Sequence, residues 1–273
     1  MNKRRLDVLL VDRGFAESRE KAQALVMAGQ VTVDERPAPK PGVMVREDVL
    51  LDVARGPRYV SRGGDKLEHA LHSFGLEVSS LTAADIGAST GGFTDCLLQH
   101  AVRKVYAIDV GRGQLDYRLR QDDRVISMEG VNAREMPPLP EKADLAVIDV
   151  SFISLRLVLP EVVALLRKRT VGAQQLARDA VLQAESSGRA SCCAPTTPAR
   201  GCIVALFKPQ FEATKEEVPR GGVIKDPQLH AQLIGRFAAW CAANGFRIRN
   251  LAASPILGAE GNREFLFLLR PSA

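Results

Sequence analysis

The sequence predicts an α/β protein built on a doubly wound, mostly parallel sheet, with a small α+β domain in front of it. From residue 82 onward, short apolar runs alternate with segments of helical periodicity, which is the pattern of β-α-β units. A glycine-rich turn at 87–92 joins one such run to a helical segment, as in sheets that bind nucleotide-like ligands. Residues 3–53 show a different pattern, with two short helices followed by short strands.

Composition is that of an ordinary globular protein. Of the 273 residues, 46% are hydrophobic and 25% are charged, and the length allows one large domain and one small one. The net charge of +5 and the isoelectric point near 9.1 permit a nucleic-acid partner. They do not establish one, because mildly basic enzymes are common.

The chain shows no sequence signal for export, for a membrane span or for a metal site. Asp7 and Asp12 interrupt the apolar residues after the basic start, which argues against a signal peptide, and no window is long and apolar enough to span a bilayer. The five cysteines lack C-x-x-C spacing, so we expect reduced thiols in a cytoplasmic protein. The four histidines are scattered, and we expect them at the surface, with no bound metal.

The N-terminal residues form a unit of their own. Leu6–Val11 carry a helical apolar stripe, Ser18 can cap a second helix that ends near Gly29, and Val31–Val33 alternate as a strand does. We therefore expect a first domain at 1–53.

A Pro- and Gly-rich stretch at 54–64 predicts a linker, followed by a larger domain at 65–273. Its last two strands can form an antiparallel end to the sheet. The predicted strands are Thr82–Ile86, Lys104–Asp109, Val125–Met128, Leu145–Val150, Ile203–Phe207, Arg247–Ala252 and Glu264–Leu269. The predicted helices include Phe93–Gln99, Ser154–Leu166 and Gln228–Asn244.

The turn that begins at Asp85 has the composition of a cofactor loop. Glycines let the backbone approach a ligand, and free N–H groups at a helix start favour polar or anionic groups. Asp109 ends the next strand, roughly 20 residues beyond the loop, where an acid can bond ribose hydroxyls. The dinucleotide spacing G-x-G-x-x-G is absent, so S-adenosylmethionine suits the pattern better. The candidate cofactor residues are Asp85, Gly87, Ser89, Gly91, Gly92, Phe93, Asp109 and Asn132.

Several long motifs resemble one bacterial family. At Phe207–Glu212, Gly221–Asp226 and Gly261–Phe265, and also at Ser61–Leu67 and Asp85–Thr94, the chain is similar to the TlyA family. These are ribosomal RNA ribose methyltransferases, historically labelled haemolysins, with an FtsJ-like catalytic domain. The resemblance implies a Rossmann-like S-adenosylmethionine-dependent methyltransferase sheet with ribosomal RNA or ribosomal subunits as the partner.

The N-terminal unit resembles a small RNA-binding module of the alpha-L type. The matching pattern is R-L-D-x-x-L, then S-R-x-x-A, a glycine before V-x-V, and K-P-G. The resemblance places Arg4, Arg19 and Lys21 at RNA phosphates, where they would supply affinity and register rather than sequence reading.

The TlyA resemblance also implies a catalytic tetrad of Lys66, Asp149, Lys208 and Glu264. A ribose 2′-hydroxyl is a poor nucleophile and must lose its proton as it attacks. Lys208 either accepts that proton or remains a cation that stabilises the developing alkoxide, and both alternatives stay open. Asp149 would hold the lysines and face the sulfonium, and Glu264 would position Lys208 or the ribose.

A long segment at 167–200 departs from the family pattern, which usually has a short turn there. Gln174–Glu185 can form a helix, and Ser186–Arg200 has the composition of a mobile segment. We expect a tolerated insertion that can also disturb the site or contact RNA. Two competing hypotheses remain: a ribosome-binding assembly factor that keeps the fold without turnover, and a membrane-lytic haemolysin, which nothing in the sequence favours.

Overall fold

A computed structural model describes residues 2–54, 56–167 and 197–272. The chain divides into two compact units, Met1–Arg58 and Tyr59–Ala273. None of the described helices is both long and apolar enough to cross a membrane.

The first unit packs two short helices against short antiparallel strands. Ser18 Oγ accepts a hydrogen bond from Lys21 N–H at 3.2 Å and so caps the second helix, as the sequence predicted. Leu6, Leu10 and Val31 are fully buried in the core of this unit. The elements are β1 (Lys3–Arg5), α1 (Leu6–Asp12), α2 (Arg19–Met27), β2 (Val31–Val33), β3 (Arg36–Pro37), β4 (Met44–Arg46) and β5 (Leu51–Val53). β1 pairs with β4, and β2 lies between β3 and β5.

The second unit is built on a seven-stranded sheet in the order β13-β14-β12-β10-β7-β8-β9. The strands from β12 to β9 in that order are parallel to one another, and β14 runs antiparallel to both β12 and β13. The α/β fold and its antiparallel end are therefore confirmed. The seven strands are β7 (Thr82–Ile86), β8 (Lys104–Asp109), β9 (Val125–Glu129), β10 (Leu145–Ile148), β12 (Cys202–Phe207), β13 (Phe246–Ala253) and β14 (Phe265–Pro271).

Helices cover both faces of this sheet. Ala83 on β7 packs with Leu67 and Leu97 on one face, whereas its neighbour Ala84 packs with Val158 and Phe237 on the other. Successive residues of a strand point to opposite faces, so each strand contributes to both cores. The helices are α3 (Gly63–Ser73), α4 (Gly92–Gln99), α5 (Tyr117–Arg120), α6 (Leu155–Leu165), α7 (Pro209–Glu212) and α8 (Pro227–Ala243).

Two parts of the chain differ from the sequence expectation. Helix α3 begins at Gly63, inside the stretch 54–64 that was expected to be a linker, and Tyr59 is buried. Thr197–Pro198, expected to be mobile, form a short strand β11 that pairs with β6 (Leu76–Glu77). The helix predicted at Gln174–Glu185 and most of the insertion lie outside the described residues.

Candidate active site

The glycine-rich turn at 87–92, called here the glycine loop, follows β7. It lies at the edge of the sheet formed by the carboxyl ends of the parallel strands. Gly87 has φ +83°, and a Cβ there would lie 2.4 Å from the Asp149 carbonyl oxygen. Gly91 has φ +99°, and a Cβ there would lie 2.2 Å from a methyl carbon of Leu119. Both positions combine a left-handed backbone with a close approach that only glycine allows.

The Ser61–Leu67 motif packs the start of α3 against the start of α4. A Cβ on Gly92 would lie 2.2 Å from Ser61 Oγ and 2.9 Å from the Gly64 amide nitrogen. Phe93 is buried in the core that contains Leu67 and Leu97, so only its backbone is available to a ligand. The sequence predicts Gly92 and Phe93 at the cofactor; in the structure both lie where the start of α3 meets the start of α4.

Asp109 shapes the loop and faces a small cavity. Its Oδ2 accepts a hydrogen bond from Ser89 N–H at 2.8 Å, and its Oδ1 accepts one from Gly111 N–H at 2.6 Å. The adjoining cavity is also lined by Gln114 and Ser127. Each carboxylate oxygen has a second lone pair, so Asp109 can still accept bonds from hydroxyl groups of a ligand.

Asn132 is exposed on the loop after β9, and its side-chain oxygen accepts a bond from the Arg134 amide at 3.0 Å. The preceding residue, Val131, donates its amide hydrogen to the Asp109 carbonyl at 3.0 Å. This bond ties the Asn132 loop to the end of β8.

Asp85 lies beneath the loop and is fully buried. Its Oδ2 accepts a hydrogen bond from Thr94 Oγ1 at 2.7 Å, while its Oδ1 has no hydrogen-bond partner in the described part of the chain. Burial raises the pKa of Asp85 to about 7; the nearby charges of Asp149 and Asp109 add to this, and the Thr94 hydroxyl opposes it. The carboxyl group can therefore carry a proton near neutral pH and donate a hydrogen bond.

The four residues of the predicted tetrad form two ion pairs. Lys66, in the first turn of α3, lies with its Nζ 2.6 Å from Glu264 Oε2, and both side chains are buried. Glu264 was expected to position Lys208 or the ribose, but its observed partner is Lys66. A Cβ on Gly258 would lie 2.5 Å from Glu264 Oε1, so a glycine there leaves room for this carboxylate.

Lys208 and Asp149 form the second pair, at the ends of the adjacent strands β12 and β10. Lys208 Nζ lies 2.7 Å from Asp149 Oδ1 and donates a hydrogen bond to Ser151 Oγ at 2.8 Å. Because an ammonium group has three donors, one remains for a substrate oxygen. The side chains of Lys208 and Asp149 are 10% and 21% exposed, so most of the pair is shielded from solvent.

The sequence analysis missed an aromatic pair beside Lys208. Phe152 is 87% exposed with φ +63°, and its ring centroid lies 5.1 Å from that of Phe211. Lys208 Nζ lies 5.9 Å from the centre of the Phe211 ring. Phe211 stands inside the Phe207–Glu212 motif and Phe152 follows the predicted strand Leu145–Val150, but a residue pattern does not show that an aromatic ring is exposed.

Asn262 connects two of the motifs that carry the TlyA resemblance. It is fully buried; its Oδ1 accepts a bond from Ile224 N–H and its Nδ2 donates to the Gly222 carbonyl, both at 2.9 Å. This joins the loop at 221–226 to the residues before Glu264. The expectation of surface histidines is wrong for His230, which is buried and packs edge-on against Phe265.

The basic residues predicted to contact RNA all have acidic partners. Arg4 contacts Asp12, Arg19 Nε lies 3.0 Å from Asp7 Oδ2, and Lys21 contacts Glu17. The side chains of Arg4, Arg19 and Lys21 are about half exposed or more, at 49%, 51% and 63%. Each therefore keeps hydrogen-bond donors that are accessible to a phosphate.

Asp7 organises part of this basic surface. It is fully buried, and it accepts hydrogen bonds from Arg5, Arg19 and Gln23. The Arg5 hydrogen bond is the main reason that its pKa lies well below the usual range. Within the described residues, no cluster of three or more histidine, cysteine or acidic side chains could hold a metal ion.

Comparison with known sequences matches residues 59–270 to the FtsJ-like methyltransferase family and residues 4–51 to the S4 domain. The chain belongs to the FtsJ-like methyltransferase family. Its N-terminal S4 domain is of the RNA-binding type that the sequence analysis expected.

The relatives of this FtsJ-like chain include TlyA proteins. It is 39% identical to the 16S/23S rRNA (cytidine-2′-O)-methyltransferase TlyA of Mycobacterium tuberculosis, over 97% of this chain and 89% of that protein. It is 37% identical to hemolysin A of Brachyspira hyodysenteriae, over 96% of this chain and 98% of that protein. A solved structure of a Streptococcus thermophilus protein, provisionally named hemolysin, is 39% identical with a TM-score of 0.67, and the match covers 100% of this chain and 90% of that one.

Proposed function

We propose that this protein transfers a methyl group from S-adenosylmethionine to the 2′-hydroxyl of a ribose in ribosomal RNA. The observation that carries the proposal is the Lys208 ammonium held by Asp149 and Ser151, at the same sheet edge as the glycine loop. The names of the TlyA relatives support cytidine as the target nucleoside. A ribosomal substrate implies that the protein acts in the cytoplasm.

The residues around the glycine loop fit S-adenosylmethionine. Asp109 can accept hydrogen bonds from the ribose hydroxyls, and the N–H groups at the start of α4 can meet the polar tail. The buried Asp85 Oδ1, which has no hydrogen-bond partner among the described residues, would supply a further polar contact. Asn132 can reach the adenine edge. When bound, the cofactor supplies a methyl group activated by the positive charge on sulfur.

Lys208 acts on the attacking oxygen. Its remaining N–H can bond the ribose 2′-hydroxyl and orient a lone pair toward the methyl carbon. In one alternative the proton leaves to solvent water while the ammonium stabilises the growing negative charge on the oxygen; in the other, the neutral amine of Lys208 accepts the proton. Asp149, whose Oδ1 lies 2.7 Å from Lys208 Nζ, holds the lysine side chain in place for either role.

Lys66 and Glu264 would hold the other side of the site. Their contact at 2.6 Å is buried, so each charge compensates the other and neither side chain is free to move. We infer that this pair positions the ribose rather than moving a proton. The exposed ring of Phe152, backed by Phe211, offers a flat apolar surface on which the nucleobase can stack.

The direct test is transfer of labelled methyl groups to ribosomal subunits that lack the modification, with Lys208→Ala beside the wild type. We expect wild-type transfer to one ribose, detected as a 2′-O-methyl group that resists alkaline hydrolysis. Lys208→Ala should lower the rate by about 100-fold or more, the range typical for loss of a charge-stabilising or proton-transferring group.

Lys142→Ala is the matched control, because Lys142 lies before β10, at the opposite edge of the sheet, where it contacts the Ala164 carbonyl. It should transfer methyl groups at the wild-type rate. No label on any ribosomal substrate, with cofactor binding intact, would contradict the proposal and favour a ribosome-assembly factor.

A further inference from the structure

Glu212 lies one turn beyond Lys208, and its side chain is only 2% exposed. Its Oε2 accepts a hydrogen bond from Ser154 Oγ, and its Oε1 accepts one from Leu155 N–H, both at 2.7 Å. Both contacts fall on the segment 149–155 after β10, called here the β10 loop. Neither the sequence patterns nor the comparisons assign a role to this carboxylate.

The segment 208–212 consists of Lys208 and the short helix α7, and is called here the β12 loop. The β10 loop contacts it at three places. The first is at Lys208, whose Nζ lies 2.7 Å from Asp149 Oδ1 and donates a hydrogen bond to Ser151 Oγ at 2.8 Å. The second is the contact of the Phe211 and Phe152 rings, at 5.1 Å between centroids. The third is the buried carboxylate at the end of the β12 loop. The first two contacts are part of the proposed site. The third, made by Glu212, holds the same two segments together outside that site.

A carboxylate at this depth weakens the fold unless its contacts offset the loss of water. Burial raises the pKa of Glu212, while the bonds from Ser154 and Leu155 and the charge of Arg156 oppose that shift. Arg156 Nε lies 3.7 Å from Glu212 Oε2, beyond hydrogen-bond distance. The contacts that offset the burial therefore come from the β10 loop and the start of α6.

We propose that Glu212 is a positioning residue that fixes the β10 loop against the β12 loop. It thereby keeps Asp149 and Ser151 where they hold the Lys208 ammonium. The catalytic meaning of this role rests on the proposed function, because misplacing a reacting group by about 1 Å can lower a rate roughly 100-fold. The contacts by which Glu212 holds the β10 loop do not depend on what the enzyme modifies.

Glu212→Ala removes both contacts. In the methyl-transfer assay we expect it to lower kcat by about 10- to 100-fold, with the affinity for S-adenosylmethionine within about twofold of wild type. Glu212→Gln should restore most of the activity, since an amide can accept from Leu155 N–H and donate to Ser154 Oγ.

Glu217→Ala is the matched control on the same stretch of chain. Glu217 also accepts two kinds of bond, from Arg236 at 2.8–2.9 Å and from the Thr214 amide at 2.9 Å, but none from the β10 loop. It should keep kcat within about twofold of wild type, because its loss leaves the Lys208 contacts in place.

A second readout needs no turnover. The rate at which a small amine-acylating reagent labels Lys208, measured by mass spectrometry of its peptide, reports how firmly Asp149 and Ser151 hold the ammonium. We expect faster labelling in Glu212→Ala than in wild type, and wild-type labelling in Glu212→Gln and Glu217→Ala. If Glu212→Ala does not fold, Ser154→Ala, which removes one of the two contacts from the other side, should shift labelling in the same direction.

Unchanged Lys208 labelling in a folded Glu212→Ala protein would overturn the inference, whatever the enzyme modifies. If Glu212→Ala alters Lys208 labelling but the wild-type protein transfers no methyl groups, the positioning role of Glu212 stands and only the proposed function is contradicted. Equal defects in Glu212→Ala and Glu212→Gln would also overturn it, because they would show that charge rather than contact geometry matters.

Discussion

Asp85 is a single buried residue that we expect to make the stability of the fold depend on pH. Its position in the sequence does not reveal this. The residue ends a short apolar run, and the sequence analysis assigned it to the cofactor loop. In the structure it is fully buried, and its carboxyl group bonds Thr94 in the first turn of α4. Its place beneath the loop supports a role in holding the loop as well as in meeting a ligand.

We predict that Asp85 lowers stability as pH rises from about 4 to about 7. In this window the unfolded chain has lost the Asp85 proton, since an ordinary aspartate has a pKa near 3.9, while the folded protein retains it because its pKa is about 7. The free energy of unfolding should therefore fall by up to about 1.4 kcal/mol per pH unit and level off above pH 7.

The measurement is chemical denaturation of the cofactor-free protein at several pH values, comparing wild type with Asp85→Asn. The substitution should remove this part of the pH dependence, because an amide does not titrate. Asp123→Asn, at an exposed position, is the control and should follow wild type. Identical pH profiles for wild type and Asp85→Asn would show that the carboxyl group titrates normally.

At the scale of elements, the loop between β7 and α4 depends on glycines for two separate reasons. Gly87 needs a left-handed backbone, and it also stands against the Asp149 carbonyl of the neighbouring strand. The sequence showed that glycines cluster here, but a plain structural turn has the same composition. Only the approach of β10 shows that a side chain at Gly87 has no room.

We predict that Gly87→Ala lowers the affinity for S-adenosylmethionine by at least about tenfold and also lowers the melting temperature. The added Cβ would lie 2.4 Å from a backbone oxygen, so the loop must shift. Gly113→Ala is the matched control: its φ is +70°, but its Cβ would meet only Arg120, at 3.9 Å. It should lose about 1–2 kcal/mol of stability from backbone strain and keep its cofactor affinity.

Calorimetric titration of the cofactor and thermal unfolding separate these two effects. Equal losses of affinity in Gly87→Ala and Gly113→Ala would show that backbone strain alone, and not contact with β10, governs the loop.

At the scale of the whole molecule, the proposed RNA binding and the proposed chemistry belong to separate compact units, Met1–Arg58 and Tyr59–Ala273. We predict that replacing Arg4, Arg19 and Lys21 by Glu weakens binding to ribosomal RNA and flattens its salt dependence. Each lost phosphate contact should reduce the slope of log K against log salt by roughly one. Affinity for S-adenosylmethionine should be unchanged.

Filter binding at several salt concentrations, together with calorimetric titration of the cofactor, measures both quantities on one protein. The control replaces Arg36, Arg46 and Lys40 of the same unit by Glu, which makes the same change in net charge. An equal loss of RNA affinity in both triple variants would point to overall charge rather than to a specific contact surface.

The fold class, the seven main strands and the two regions of different pattern follow from the sequence alone, because alternation and helical periodicity are local signals. The motifs, through their resemblance to a known family, also predict Lys66, Asp149, Lys208 and Glu264 as candidate catalytic residues. All of these inferences can be made without knowing which residues, distant in the chain, are in contact in the folded protein.

The pairing of those four residues depends on the three-dimensional fold. Lys66 and Glu264 are 198 positions apart in the chain and lie 2.6 Å from each other, and no local pattern specifies such a contact. The burial of His230, the exposure of Phe152 and the contacts of Glu212 are likewise set by the packing of one segment against another. Pairing, burial and exposure depend on neighbours in space, whereas periodicity and motif spacing depend on neighbours in the chain.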